Sequence, residues 1–323
     1  PRIDYTDGGC PVLLTEPQST NEVLSSESLG GYLTSKSAGA IITDNYGISP
    51  NGSQSSSRVQ FGESDYCSRS ISLSANNTSS VYVKGIVGET VGFGVGANVG
   101  QGGLFAFNGS WQRLEYTDTI GGSAIFFSNL QVSANATDFE AFGLQVENLS
   151  YATSYIPTYG AVRTRLQDSV LGAGTVSDFN SSEGVLFAEI SALSDDLTQR
   201  FISLSDGTTS NRLILGIDNV SNRILSFARV GGVLSFDIKE TVSNIQSYNK
   251  IAIKWKENDF ALWCNGVELG VDTSGFTFSA NTLSNLNFSD SDGTTEIFYG
   301  KTSQVQVFKT ALSDAELLTL TTI

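Results

Sequence analysis

Histidine is absent from all 323 residues. Ser-His-Asp and Cys-His arrangements are therefore impossible, and the His-containing zinc sites go with them. Methionine is absent too, so with Pro1 in first place an initiator, and a longer N-terminal region, are expected ahead of the chain. Cations are scarce: 18 Lys and Arg against 33 Asp and Glu give a formal net charge of -15. No basic stripe remains to release counterions from a phosphate backbone, which argues against nucleic acid as a partner. The three cysteines, Cys10, Cys67 and Cys264, cannot all pair within one chain and are too few for a disulfide framework. Cys10 and Cys67 flank loops, and a bond between them and two free thiols are both compatible with the sequence. Cys264 sits in a strand pattern and reads as a small buried hydrophobe. No apolar stretch reaches the roughly 18 residues that span a bilayer, and no cationic start leads into an apolar segment. Neither membrane insertion nor a signal peptide is expected.

What is present is the texture of many short strands. Forty per cent of residues are apolar and only 16 per cent charged. Gly, Ser, Thr and Asn crowd between short runs of Val, Ile, Phe and Tyr, which makes the class all-β. The length exceeds what one core usually serves, so two tandem antiparallel β-sandwiches of jelly-roll type are expected. Gly8-Gly9, Pro11 and Pro17 mark residues 1–22 as an extended N-terminal connector that must lie on something. Residues 23–159 form the first sandwich and 160–323 the second, divided within 158–174, where periodicity lapses. The acidic, sparsely charged surface suits a protein working outside the cell or on a particle.

In the first sandwich, alternation places strands at Ile71 and Leu73, at Val81 and Val83, and at Val91, Phe93 and Val95. Asn108-Gly109 predicts a hairpin between Leu104–Phe107 and Trp111–Tyr116. Ala124–Ser128 and Phe139–Val146 follow, and Tyr151–Pro157 closes the sandwich. The second set comprises eleven runs between Val185 and Phe308, Thr295–Tyr299 among them. Ser313 with Glu316 is a capping box, and with Leu317 and Leu320 it predicts one short C-terminal helix.

One region can be registered residue by residue. Two-residue turns at Glu257-Asn258 and Asn265-Gly266 set Trp255 opposite Phe260, Ile253 opposite Leu262 and Ile251 opposite Cys264. That face is apolar and buried. The other collects Ala252, Lys254, Ala261, Trp263 and Glu268, with Trp263 as its one large aromatic.

Three stretches carry a family resemblance: Pro1-Arg2-Ile3-Asp4-Tyr5 with Cys10-Pro11 and Thr15–Asn21, the run Tyr151–Gly160, and Lys250–Gly270. With them the chain resembles bacteriophage fibre or appendage proteins, of the kind found in phages of Bacteroidetes. In that family the first domain resembles a carbohydrate-binding-module jelly roll, with Trp111-Gln112-Arg113 in its typical strand. The second resembles a concanavalin-like or laminin-G-like lectin sandwich ending in Ala311–Glu316. The resemblance implies a virion-surface homo-oligomer, often a trimer, joined to other virion proteins through a longer N-terminal portion. It implies no activity by itself.

Catalysis finds little support in the residues. A carboxylate pair is all that glycoside hydrolysis requires, but no closely spaced acidic strand motif of the sort jelly-roll glycosidases carry, such as two Glu bracketing an Asp on one face, is found, and Asp195-Asp196, Asp206, Asp290 and Asp292 sit among Ser and Gly as turn formers. A polysaccharide depolymerase is therefore disfavoured and no cofactor is expected. The one metal candidate is calcium at Asp290 and Asp292, whose loop offers oxygen ligands but too few by itself. For sugar binding, Trp263 flanked by Lys254 and Glu268 supplies an aromatic face ringed by hydrogen-bonding groups, while Trp111 and Trp255 read as core. Packing of the same face against a neighbouring domain or protomer is the alternative. The sequence thus points to attachment to host-surface glycans, with a purely structural assembly or capsid-decoration role as its rival.

Overall fold

The structure is a computed structural model that describes residues 1–5 and 9–323; Gly8 of the Gly8-Gly9 signal lies outside the described residues. The chain is built almost wholly of antiparallel strands, as its composition requires. Its contacts divide it into two units, Gln18–Leu166 and Pro1–Pro17 together with Gln167–Ile323.

The Gln18–Leu166 unit packs two five-stranded sheets face to face. One runs in the order Gln112–Asp118, Asn77–Gly85, Asp138–Glu147, Ser57–Gln60 and Ile41–Thr43; the other in the order Gly103–Ala106, Thr90–Gly96, Ala124–Ser128, Tyr66–Ser70 and Ser35–Lys36. Alternation sends Val59, Val81, Val83, Phe139 and Ala141 from the first sheet, and Val91, Phe93, Val95, Ile125 and Phe127 from the second, into one core. Cys67 belongs to this core, where burial pushes its thiol up to about 12; Cys10 is exposed, and all three cysteines are free.

Asn108-Gly109 does turn the chain, with Gly109 at φ +83. The flanking strands nevertheless do not pair with each other. Gly103–Ala106 pairs with Thr90–Gly96 and Gln112–Asp118 with Asn77–Gly85, so the expected hairpin is instead a crossing between the two sheets. Gln112 fixes it, its Oε1 accepting the Asn108 N–H at 3.0 Å and its Nε2 donating to Ala106 O at 2.8 Å. Trp111 is consequently half-buried outside the core rather than within it, with Nε1 donating to Ile48 O at 3.2 Å. Tyr151–Pro157 follows the last long strand of this unit as an irregular segment. Thr153 and Ile156 donate their backbone N–H groups to Glu147 Oε2 and Gln145 Oε1, which lays the segment along the Asp138–Glu147 strand.

The other unit has a seven-stranded sheet in the order Arg2–Asp4, Val12–Thr15, Gly300–Phe308, Glu183–Ala192, Asn249–Lys256, Phe260–Cys264 and Val267–Asp272. Its five-stranded partner runs Val233–Thr241, Arg223–Val230, Arg212–Ile217, Arg200–Ser205 and Asn285–Asn287. Leu186, Ile202, Leu213, Leu215, Ile253 and Trp255 meet in the core between them. The connector read over residues 1–22 is partitioned: Val12–Thr15 pairs with Gly300–Phe308 in this unit, and Ser19–Asn21 pairs with Arg163–Arg165 in the other. Backbone polar groups need partners, and an extended segment finds them at a sheet edge. Thr295–Tyr299, expected as a strand, contributes only an isolated bridge from Ile297 to Phe201.

The expected register is present. Ile251 faces Cys264 and Ile253 faces Leu262, while Ile251, Ile253, Trp255, Phe260, Leu262 and Cys264 all lie buried in one core. Asn258, Asn265 and Gly266 adopt the positive φ that the two tight turns demand. Gly184 sits opposite the fully buried Trp255, and a Cβ there would fall 2.5 Å from the indole ring and 2.5 Å from Phe308 O. Gly184→Ala is therefore expected to cost about 1–3 kcal/mol by overpacking, and Trp255→Ala about 3–5 kcal/mol by leaving a cavity. Urea unfolding monitored by tyrosine and tryptophan fluorescence measures both, and an unchanged midpoint for either variant would contradict this packing.

Candidate functional site

Trp263 pairs with Ala252 on one side and Glu268 on the other, and points away from the main core as its register requires. It is not an open platform. Only 7% of its surface is accessible, because the C-terminal helix Asp314–Thr321 lies over it and packs Leu317 against Trp263, Phe187 and Ala252. The expected capping box is formed, with Glu316 Oε2 accepting the Ser313 N–H at 2.8 Å. Leu317 needs an apolar surface to cover it, and this face supplies it, while Leu318 stays exposed. Lys254 is nearly buried and pairs with Asp259 at 2.6 Å and Asp314 at 3.5 Å; Glu268 is exposed. The three residues share a face, but the sugar site expected at Trp263 is closed by the chain's own helix.

Asp290 and Asp292 face different partners. Asp290 Oδ2 accepts from Arg212 Nη1 at 2.8 Å, so a guanidinium already stands where a cation would sit. Asp292 Oδ1 accepts the Thr294 N–H at 2.9 Å and the Thr294 hydroxyl at 2.7 Å in a local turn, which lowers its pKa. Among the described residues no three His, Cys, Asp or Glu side chains gather to hold a metal ion.

The groove with the chemistry of a binding site lies elsewhere, on the outer face of a sheet of the Gln18–Leu166 unit. Thr43, Arg58, Glu140 and Lys84 stand directly opposite one another across four adjacent strands. Because Val59, Phe139 and Val83 point inward, these four point out. Asp138 stands two residues before Glu140 on the same face. Arg58 Nε donates to Asp138 Oδ1 at 2.9 Å and Nη2 donates to Oδ2, a two-pronged clamp. Lys84 Nζ lies 4.0 Å from Glu140 Oε1, and the Ser56 hydroxyl donates to Oε2 at 2.5 Å.

The loop between Thr43 and Ser57 folds back over this row. Tyr46 N–H donates to Ser56 O at 2.8 Å and Gly47 N–H to Ser56 Oγ at 2.9 Å. Gly47 allows this close approach, since a Cβ there would lie 2.1 Å from Glu140 Oε2 and the carboxylate would have to move aside. The Tyr46 ring is thereby held 4.9 Å from the Arg58 guanidinium carbon while 46% of the residue stays exposed. Together with Ile86 and the charged row it lines a groove of about 230 Å³. None of these residues was singled out in the sequence. The signal was there in Asp138-Phe139-Glu140, a polar-apolar-polar step at the head of a strand, and in Lys84 closing the Val81–Lys84 alternation.

No family model matches the sequence, and no curated protein matches it. Similar solved structures are β-sandwiches. The carbohydrate-binding module CBM40 of the Ruminococcus gnavus IT-sialidase, bound to α2,3 sialyllactose, is 18% identical at a TM-score of 0.40, covering 48% of this chain and 97% of that one. Domain 4 of AbnA, a GH43 extracellular arabinanase of Geobacillus stearothermophilus, in complex with arabinotriose, is 9% identical at 0.40, covering 54% and 83%. Domains LG4-5 of the mouse laminin α1 chain are 9% identical at 0.31, covering 94% and 96%. At these identities the likeness concerns the fold alone.

Two outcomes follow from the closed face and the aspartate loop. Trp263→Ala should destabilise the protein by about 3–5 kcal/mol, as removal of any buried tryptophan does, which thermal unfolding measures. Burial raises the Asp290 carboxyl to about 6 despite Arg212, with Glu296 and Asp292 adding to the rise. A folded-state pKa above the unfolded one means that this group's stabilisation is complete below about pH 4 and is lost as pH rises through 6. Asp290→Asn should flatten that fall in urea midpoints taken between pH 4 and 7; a slope identical to that of the parent chain would exclude Asp290 as its source.

Proposed function

We propose that this chain is a non-catalytic glycan-binding protein of a virion surface, the outer part of a phage fibre or appendage, and that it holds host sugars in the Tyr46 groove. The observation that carries the binding reading is the half-exposed Tyr46 ring fixed beside two cations and two carboxylates on a rigid sheet. A pyranose ring presents an apolar face that stacks on an aromatic, and its hydroxyls need donors and acceptors together. Arg58 and Lys84 supply the donors, Asp138 and Glu140 the acceptors. Because the row belongs to paired strands and Tyr46 is tied to Ser56, little conformational freedom is left to lose on binding.

The virion setting rests on the sequence resemblance, and with it the expectation of a homo-oligomer, trimeric by preference, attached to other virion proteins. Several weak sites displayed together then act through effective concentration. A purely structural role is favoured by a different observation: Val233, Leu234, Val267 and Val271 are exposed on the two edge strands Val233–Thr241 and Val267–Asp272, where another subunit would find apolar surface.

Tyr46→Ala is expected to weaken glycan binding about 2- to 12-fold at a single site, the loss of about 0.5–1.5 kcal/mol of stacking. Its unfolding midpoint should be unchanged, since the ring is outside the core. Glycan-array binding and calorimetry on the whole chain measure the loss. A chain that binds no glycan of any class, yet self-associates through the edge strands, would replace this reading with the structural one.

A further inference from the structure

We infer that the Tyr46 groove selects neutral saccharides and discriminates against sialylated or uronic-acid-bearing ones. The inference rests on the glycan reading above and deepens it. Each cation in the groove already has a carboxylate beside it: both oxygens of Asp138 are engaged by Arg58, and Lys84 stands next to Glu140. The local sum is two positive and two negative charges. An acidic sugar is recognised best by a planar guanidinium fork whose two N–H groups meet both oxygens of its carboxylate. Here that fork, Nε and Nη2 of Arg58, is spent on Asp138. A sugar carboxylate is left with the outer N–H groups of Arg58, whose charge Asp138 already offsets, and would lie crowded against Asp138 and Glu140.

A neutral sugar meets no such conflict. Its hydroxyls donate to the remaining lone pairs of Asp138 and Glu140 and accept from Lys84 and from the Arg58 N–H groups outside the fork, with the charge pairs left intact. The far field acts in the same direction, because the chain as a whole carries -15 and repels polyanionic glycans before contact.

The test uses matched ligands on the whole chain: a neutral galactoside with its sialylated counterpart, and a neutral β-glucan oligomer with a uronic-acid oligomer. Within the pairs that bind, the neutral member should bind at least about tenfold tighter, a difference of about 1.4 kcal/mol. Raising the salt from low to 0.5 M should leave neutral binding unchanged. Asp138→Asn, a nearly isosteric change at a partly exposed side chain, frees the fork of its charged partner. It should narrow the preference by at least about fivefold by raising affinity for the acidic member, with thermal unfolding used to confirm that the variant is folded. Equal or tighter binding of the acidic member by the parent chain would overturn the inference while leaving the glycan reading standing. An acidic affinity unmoved by Asp138→Asn would overturn the mechanism given for it. Binding of neither class would remove both readings together.

Discussion

The two-residue alternation that turns Val59, Val83 and Phe139 inward turns Arg58, Lys84 and Glu140 outward, and the rest of the surface chemistry depends on that one geometric fact. A sheet packed on one side has no freedom over which side chains it shows on the other. In the Gln18–Leu166 unit the displayed row is ionic, and hydrogen bonds among its members hold it in place. In the other unit the displayed face around Trp263 is apolar enough to demand a cover, and the C-terminal helix provides one. The same rule therefore yields an open polar groove on one sandwich and a closed apolar seam on the other.

Sparse charge makes the open groove more informative. Two of the chain's 18 cations, Arg58 and Lys84, stand in one row with two carboxylates. Paired ions on a surface contribute little to stability, about 0–1 kcal/mol each, so packing alone gives no strong reason for gathering them beside an exposed tyrosine. Holding donors and acceptors at fixed spacing is what such a row does well.

Most strands between Val185 and Phe308, and the whole Ile251–Val267 register, were legible because their signals are local: period-two apolar runs joined by turns whose Asn and Gly residues accept positive φ. Asn108-Gly109 has the same local chemistry, and there the reading failed, since a turn signal says that the chain bends but not which strand it will pair with. That choice is made by partners far along the chain. Trp263 was assigned correctly to its face, but neither an open sugar platform nor a contact with another domain or protomer anticipated its cover by the chain's own helix. The helix that covers it was read, but an isolated helix does not announce where it will dock. Tyr46 was not legible at all, because its position comes from an irregular loop tied down by Ser56 and Glu140, a contact with no periodic trace in sequence.

The pairing of Val12–Thr15 with Gly300–Phe308 bears on how the protein folds. Thr15 donates its hydroxyl to Phe298 O at 2.8 Å across 283 residues, so two segments far apart in the chain have to find each other. Between them lies the Gln18–Leu166 unit, which has a complete core of its own. Prior folding of that inserted unit leaves roughly half the loop to close, which trims the entropy lost when the two distant strands meet by about 0.6 kcal/mol. An insertion of this length therefore costs the closure of its neighbouring unit less than the 283-residue separation suggests.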